Sequence, residues 1–299
     1  MEHPTLLKDY QCIYCGMQTG EKVLNLKDHY LTGEDYLIVR CSKCHLLQTH
    51  PRPPYDKIGF YYASEKYISH SAKHESLFSK IYGLVQTINF SSKYRFAIRD
   101  RRAGAILDIG CGNGAMLNHF VKMGWSGTGI EPGDSARNIA KSEYKLNVFD
   151  ETKLAEFEDK SFDVITLWHV LEHVYNLHER LAEIKRLLKS DGTLVVALPN
   201  PRSFDAQFYG AHWAAYDVPR HLYHFTPELI EKIMLDYGLK LQDARTLWFD
   251  SYYVSLLSEE YRGSGFFGKI RAIMIGGYSN LISLVKRNRG SSQMYRFKF

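Results

Sequence analysis

The sequence predicts an α/β protein, built on a mainly parallel seven-stranded sheet with helices on both faces and preceded by a small cysteine-rich module. Three observations carry this reading. From about residue 96 onward, short apolar runs alternate with longer helical patterns, the signature of βαβ units. A glycine-rich turn at 105–114 joins an apolar strand pattern to a helix. Two CxxC pairs lie within the first fifty residues.

A chain of 299 residues is long enough for one main domain with an appendage. Apolar residues at 45% and charged residues at 24% match a folded globular protein and exclude fibrous or disordered classes. The opening MEHPTLLKDYQC has no basic region followed by an apolar core, and no stretch approaches ~20 uninterrupted apolar residues. A cytoplasmic protein without a membrane span is expected. The formal charge of +5 is dispersed except for Lys286-Arg287-Asn288-Arg289, which reads as a solvated surface run, so a nucleic-acid partner is not expected. Phe266 to Val285 is apolar but interrupted by Lys269, Arg271, glycines and Ser279-Asn280. It reads as an amphipathic helix or a lid on the main domain, with contact to a membrane surface as the alternative.

Three stretches follow: residues 1–50, a connector and helical cap at 51–95 that opens with Pro51-Arg52-Pro53-Pro54, and a main domain at 96–299. In the first, Cys12-Ile-Tyr-Cys15 and Cys41-Ser-Lys-Cys44 can each present two thiolates to one ion. Together they complete the closed tetrahedral coordination of a structural Zn2+, in a segment too small to build its own core. A closed site leaves no open position for chemistry, and a redox pair would need a thioredoxin-like context that is absent. The segment is similar to a zinc ribbon.

Strands are expected at Ala105–Ile109, Gly127–Glu131, Asn147–Phe149, Phe162–Leu167 and Thr193–Ala197, with weaker ones near Leu239–Leu247 and Gln293–Phe297. Leu177, Leu181, Ile184, Leu187 and Leu188 share a helical face, after which Asp191-Gly192 supplies a turn. Thr226-Pro227 marks a helix start and Gly238 its end.

In Ala105–Gly114 the loop Gly110, Cys111, Gly112, Asn113 and Gly114 follows the strand. Glycines there let backbone approach a ligand that any Cβ would displace. Cys111 reads as a small buried filler. About twenty residues beyond the glycines, where an acid can bond both hydroxyls of a ribose, the next strand ends in Glu131-Pro132. The spacing is GxGxG and an acid, Asp108, precedes the first glycine. These features resemble motif I of class I S-adenosylmethionine-dependent methyltransferases, which have a Rossmann-like fold. The resemblance implies that the loop backs onto the amino-acid part of S-adenosylmethionine, with Asp108 facing its ammonium group and Glu131 its ribose.

After Phe162–Leu167 come Trp168, His169, Glu172 and His173. Leu171-Glu172-His173-Val174 resembles the post-strand motif of small-molecule methyltransferases that include the ubiquinone-biosynthesis O-methyltransferases, and that resemblance implies that Leu167 and Trp168 flank the cofactor. His169, Glu172 and His173 are spaced i, i+3, i+4, so one helical turn would set them on one face. They read as a general base, a divalent-metal site or a structural turn. Metal-dependent relatives carry a carboxylate where this chain has His169, which puts a magnesium site in doubt.

A second cluster, Trp213, Tyr216, Arg220, His221, Tyr223 and His224, lies beyond the fifth strand of this domain, where loops carry substrate residues. Its Pro-Arg-His-Leu-Tyr-His-Phe-Thr-Pro resembles a block of bacterial methyltransferases with a zinc-ribbon-like front. His221 or His224 is expected across from the transferred methyl; the alternative is a locally satisfied helix entry. The resemblance implies methyl transfer to a small metabolite or a sugar or polysaccharide intermediate. Alternatives are an RNA methyltransferase, disfavoured by the modest charge and the absence of an Asn-Pro-Pro-Tyr type motif, and a non-catalytic zinc-ribbon interaction protein.

Overall fold

A computed structural model describes residues 7, 10–62, 77–99, 101–286 and 288–299; part of the expected connector, 63–76, and Arg287 lie outside them. The main sheet contains seven strands: β4 (Ala105–Ile109), β5 (Ser126–Ile130), β6 (Asn147–Phe149), β7 (Phe162–Trp168), β8 (Leu188–Pro199), β10 (Lys240–Thr246) and β11 (Ser292–Lys298). Their order is β10-β11-β8-β7-β4-β5-β6. Only β11 runs against its neighbours, while β4, β5, β6, β7 and β8 pair in parallel.

Alternate side chains of the central strands serve opposite faces. Ile106, Val164 and Val195 pack with Phe96, Leu117 and Phe120, which come from α1 (Leu77–Ile98) and α2 (Ala115–Lys122). Leu107, Ile165 and Leu194 pack instead with Leu181, Ile184 and Ile230, from α4 (Leu177–Leu187) and α6 (Pro227–Asp236). The helix α3 (Asp134–Tyr144) links β5 to β6, and α5 (Phe204–Tyr209) follows β8. The pair α7 (Asp250–Tyr261) and α8 (Phe266–Val285) is inserted between β10 and β11. As expected, Thr226 caps α6 by accepting from Leu229 N, and Gly238 takes a positive φ of 85° after it.

Three boundaries differ from the sequence reading. The strand β8 starts at Leu188 rather than Thr193, because the chain leaves α4 directly in extended form and pairs Leu188 with Phe162 before a register shift. Phe90 and Tyr94 of α1 pack against the core that buries Phe96 and Ala97, so the main core reaches back before residue 96 into the stretch read as connector. The cysteine module also extends beyond residue 50. Its antiparallel sheet consists of β1 (Gly20–Lys27), β2 (Asp35–Cys41), β3 (Leu47–His50) and β9 (Tyr223–His224), so its fourth strand is supplied by the second histidine cluster. Tyr10, Val39 and Leu46 share one apolar core with Tyr223 and Phe225.

Candidate functional site

The turn after β4 forms because three alternate positions need left-handed backbone: Gly110, Gly112 and Gly114 have φ of 71°, 56° and 80°. At Gly110 a Cβ would stand 2.4 Å from Val170, whereas at Gly112 it would meet nothing within 4 Å. The first glycine is set by packing, and the second borders an open cradle. Asn113 is exposed and its Oδ1 accepts from Ala115 N at 3.1 Å. Cys111 is buried, and burial pushes its thiol well above the usual range, which fits a filler.

Glu131 closes the cradle from the β5 side. Its two carboxylate oxygens accept from Gly112 N (2.9 Å) and Gly133 N (2.8 Å), so the acid ties the glycine turn to the next loop. Burial raises its pKa, against the pull of those amides. Pro132 is exposed beside it.

Asp108 is 1% exposed. Its Oδ1 accepts from Thr166 Oγ1 at 2.6 Å, while its Oδ2 is buried without a hydrogen-bond partner. Burial pushes it up to about 7, with Thr166 and Lys93 pulling the other way. An orphaned buried carboxylate oxygen is the acceptor that an ammonium group would satisfy. Together with the open cradle at Gly112 and the acid at Glu131, it fits the amino-acid and ribose ends of S-adenosylmethionine.

Leu167 and Trp168 diverge. Leu167 is fully buried in the core shared with α4, so its side chain belongs to that core and not to the cleft wall, a correction that follows from strand alternation. Trp168 is half-buried at the strand end, with Lys93 Nζ 4.9 Å from its ring centroid. Lys93 was not anticipated from sequence. It sits on α1, and burial lowers its pKa while Asp250 and Asp108 raise it.

The expected helical turn carrying His169, Glu172 and His173 is absent. His169 has φ 56°, and only a three-residue 3-10 turn, Leu171–His173, follows. His169 is held between two carboxylates, with Nε2 3.1 Å from Asp250 and Nδ1 3.5 Å from Glu172. Burial alone would lower its pKa, but these acids outweigh burial and raise it to about 9.

His173 faces away from His169 and toward the second cluster. Its ring lies 4.6 Å from that of His221 in an edge-on arrangement. His173 Nδ1 is 3.0 Å from the Arg220 carbonyl and 2.9 Å from Tyr62 Oη, and His221 Nδ1 is 2.9 Å from the Ala215 carbonyl. A carbonyl only accepts, so each Nδ1 carries a proton and each Nε2 is left with its lone pair when the ring is neutral. Burial, then the neighbouring His221, lower His173 to about 4. Beside them Glu172 is 1% exposed, and apart from the 3.5 Å approach of His169 Nδ1 its buried oxygens have no hydrogen-bond partner. Glu172, His173 and His221 bring one potential ligand atom each to within 4.8 Å of one another.

His224 is elsewhere. It lies in β9 opposite Leu47, with Nε2 3.1 Å from Thr49 Oγ1. That hydroxyl donates to the His221 carbonyl at 2.5 Å, so it accepts from His224. Burial holds His224 well below its ordinary value, and it serves the joint between the two sheets. Trp213 donates to Asp205 at 2.8 Å, and Tyr216 packs edge-on against both Trp213 and His224. Arg220, 2% exposed, anchors the loop. It pairs with Asp217 (3.0 Å from Nε) and, across the module boundary, with Asp28 (3.1 Å from Nη2). Asp28 also accepts from the backbone N–H groups of Tyr30, Leu31 and Thr32.

The four cysteines of the module converge. Cys12 and Cys44 Sγ are 3.5 Å apart, Cys15 and Cys41 Sγ 3.4 Å, and all four lie within 4.8 Å of one another. No disulfide joins them. Four thiolates around a tetrahedral zinc would be separated by about 3.8 Å, and Cys12, Cys41 and Cys44 are buried, so the donor set fits a closed zinc-ribbon site.

Sheet order, glycine turn and paired acids together define a class I S-adenosylmethionine-dependent methyltransferase. The chain belongs to the methyltransferase-domain family, whose match covers residues 84–244, just over half of its length. It is 28% identical over 152 residues to the ubiquinone biosynthesis O-methyltransferase of Maricaulis maris, covering 46% of this chain and 59% of that enzyme. To the enzyme of the same description in Nitrosococcus oceani it is 29% identical over 170 residues, covering 52% and 70%. The chain therefore spans only about three-fifths of the length of the first of these relatives. Among solved structures it is similar to a Thermotoga maritima S-adenosylmethionine-dependent methyltransferase described as a possible histamine N-methyltransferase. That likeness has a TM-score of 0.50 at 17% identity, covering 80% of this chain and 98% of that one, and it supports the fold alone.

Proposed function

We propose that the protein methylates the hydroxyl oxygen of a small-molecule acceptor, with His173 as the general base and a structural zinc in the four-cysteine module. One observation carries the catalytic reading: Glu172 lies buried beside His173 and His221, with only the 3.5 Å approach of His169 to its carboxylate, and the Nδ1 atoms of His173 and His221 are committed to backbone carbonyls. That arrangement leaves His173 neutral, with a lone pair at Nε2 and a carboxylate beside it to stabilise the imidazolium once a proton arrives.

S-adenosylmethionine supplies, when bound, a methyl carbon on a sulfonium. Asp108 would hold its ammonium group and Glu131 its ribose hydroxyls, which would fix the cofactor relative to the acceptor. His173 Nε2 would take the proton of the acceptor hydroxyl as the methyl group leaves sulfur for that oxygen. His169, tied to Asp250 and Glu172, orients the carboxylate and takes no proton in the step. His224 keeps the loop on the module. The ubiquinone-type relatives support an oxygen acceptor.

The same cluster supports a second reading. Glu172, His173 and His221 are suited to hold a divalent cation through two imidazoles and a carboxylate, each imidazole oriented by a backbone carbonyl in the way metal-bound histidines are. The nitrogen-rich donor set favours a transition metal over magnesium. In this reading the cation lowers the pKa of the acceptor hydroxyl.

Turnover of phenolic acceptors by the wild type and by His173→Gln, with and without prior chelation, separates the readings. A fall in kcat of ~100-fold or more in the variant, with full wild-type turnover after chelation and return of one equivalent of zinc for the four-cysteine module, supports the base. Loss on chelation that this equivalent does not restore, but a further transition-metal ion does, supports the metal. Unchanged turnover in His173→Gln refutes both.

A further inference from the structure

The helix α8 is amphipathic in the reverse of the usual sense. Its inner face consists of small and polar residues. A Cβ on Gly276 would stand 2.9 Å from Tyr252 of α7. Ser279 donates to the buried Asp205 at 2.6 Å, and Asn280 to the Trp248 carbonyl at 2.8 Å. Its large apolar residues face outward instead. Phe266, Phe267, Ile273, Met274, Leu281 and Leu284 are all exposed, Phe267 at 83%. At 100° per residue these positions and their apolar neighbours cover roughly 140° of the helix surface. The inner face packs on α5 and α7, so the outer stripe contributes nothing to the core, and a contiguous exposed apolar stripe of this kind marks an interaction surface.

Charge identifies the occupant. From Tyr261 to Phe299 the sequence holds eight Lys or Arg and no Asp or Glu. Lys269 near the start of α8 and Lys286 at its end are exposed. Arg271, on the edge of the stripe, is paired with Glu259 at 2.7 Å. An apolar stripe with exposed Lys269 and Lys286 at its ends, and with Glu259 beside it already paired to Arg271, matches the interface of an anionic bilayer, where the apolar face enters the acyl boundary and the ammonium groups meet phosphates. A second copy of the chain fits less well, because antiparallel pairing of two such helices would bring the Lys269 end of one against the Lys286 end of the other with no carboxylate on the segment to neutralise them. No described helix is long and apolar enough to cross a membrane, so the helix would lie along the surface. The α7–α8 pair leaves the main sheet at the carboxyl end of β10, the same edge as the glycine turn.

We infer that α8 docks the protein on anionic membrane surfaces. The test is flotation of the full chain with phosphatidylcholine vesicles and with equal mixtures of phosphatidylcholine and phosphatidylglycerol, at low and high salt. Binding to the anionic vesicles about tenfold above the neutral ones, weakened by salt and lost in Phe267→Glu/Leu284→Glu, is the expected result. Unchanged circular dichroism and cofactor binding in that variant show that its fold is intact. Should it fail to fold, Lys269→Gln/Lys286→Gln must lower anionic binding while leaving the apolar stripe untouched. No flotation by the wild type, flotation that both variants retain, or a wild-type dimer in light scattering that the apolar substitutions dissolve would each overturn the inference.

Discussion

Asp28→Ala should destabilise the whole protein, although the residue lies in the module and far in sequence from the catalytic loop. Asp28 and Arg220 are 1% and 2% exposed, and their 3.1 Å contact crosses from module to loop. Removing one partner of a buried pair costs about 3–5 kcal/mol, because the other charge stays buried without it. Here Arg220 keeps Asp217, which moves the expectation to the lower end, about 3 kcal/mol. The amides of Tyr30, Leu31 and Thr32 also lose their acceptor. A midpoint drop of roughly 6–12 °C follows at 2–4 °C per kcal/mol, measurable by calorimetry and by urea titration, and acceptor turnover should fall more than cofactor affinity because the loop carries His221. Asp35→Ala, which removes an exposed pair with Lys27 at 3.7 Å, serves as the control and should shift little. If Asp28→Ala melts with that control, the module does not brace the loop through this pair.

Four further outcomes are expected. Gly112→Ala should stay folded, since its Cβ meets nothing within 4 Å and left-handed backbone costs only about 1–2 kcal/mol, yet calorimetry should show cofactor affinity reduced at least tenfold; unchanged affinity would place the ligand elsewhere. Because burial raises Asp108 to about 7 and an ammonium group favours its carboxylate, S-adenosylhomocysteine affinity should fall as pH drops below 7, by up to about tenfold per unit, and the dependence should vanish in Asp108→Asn. By the same shift the cofactor-free fold binds more protons than the unfolded chain between the ordinary carboxylate value and about 7, so its stability falls as pH rises through that window. Elemental analysis should find one zinc per chain in the wild type and none in Cys12→Ser/Cys41→Ser, with chelation lowering the melting temperature.

What the sequence disclosed was local. Asp108, the glycines and Glu131 fall within one strand–turn–helix–strand unit, where spacing alone sets relative position, and the four cysteines form two short turns that only one ion could unite. What it concealed depends on contacts between distant segments. Nothing in the spacing of His169, Glu172 and His173 indicates that His169 takes φ 56° and meets Asp250, or that His173 turns to His221. Asp28 looks like an ordinary turn residue, and Lys93 belongs to a helix with no visible motif. Strand β9 is two residues long and carries no period to read. Phe266–Val285 was legible as amphipathic, but which face the core would take was not, because Gly276, Ser279 and Asn280 are buried through hydrogen bonds and close packing rather than through hydrophobicity.

Calorimetric titration with S-adenosylmethionine and S-adenosylhomocysteine, on the wild type and on Glu131→Ala, tests the central claim most directly. Micromolar binding to the wild type, weakened at least tenfold in the variant, is the predicted result. No binding by a folded, zinc-loaded wild type, or equal binding by the variant, would contradict the cofactor site described for Asp108, Gly112 and Glu131.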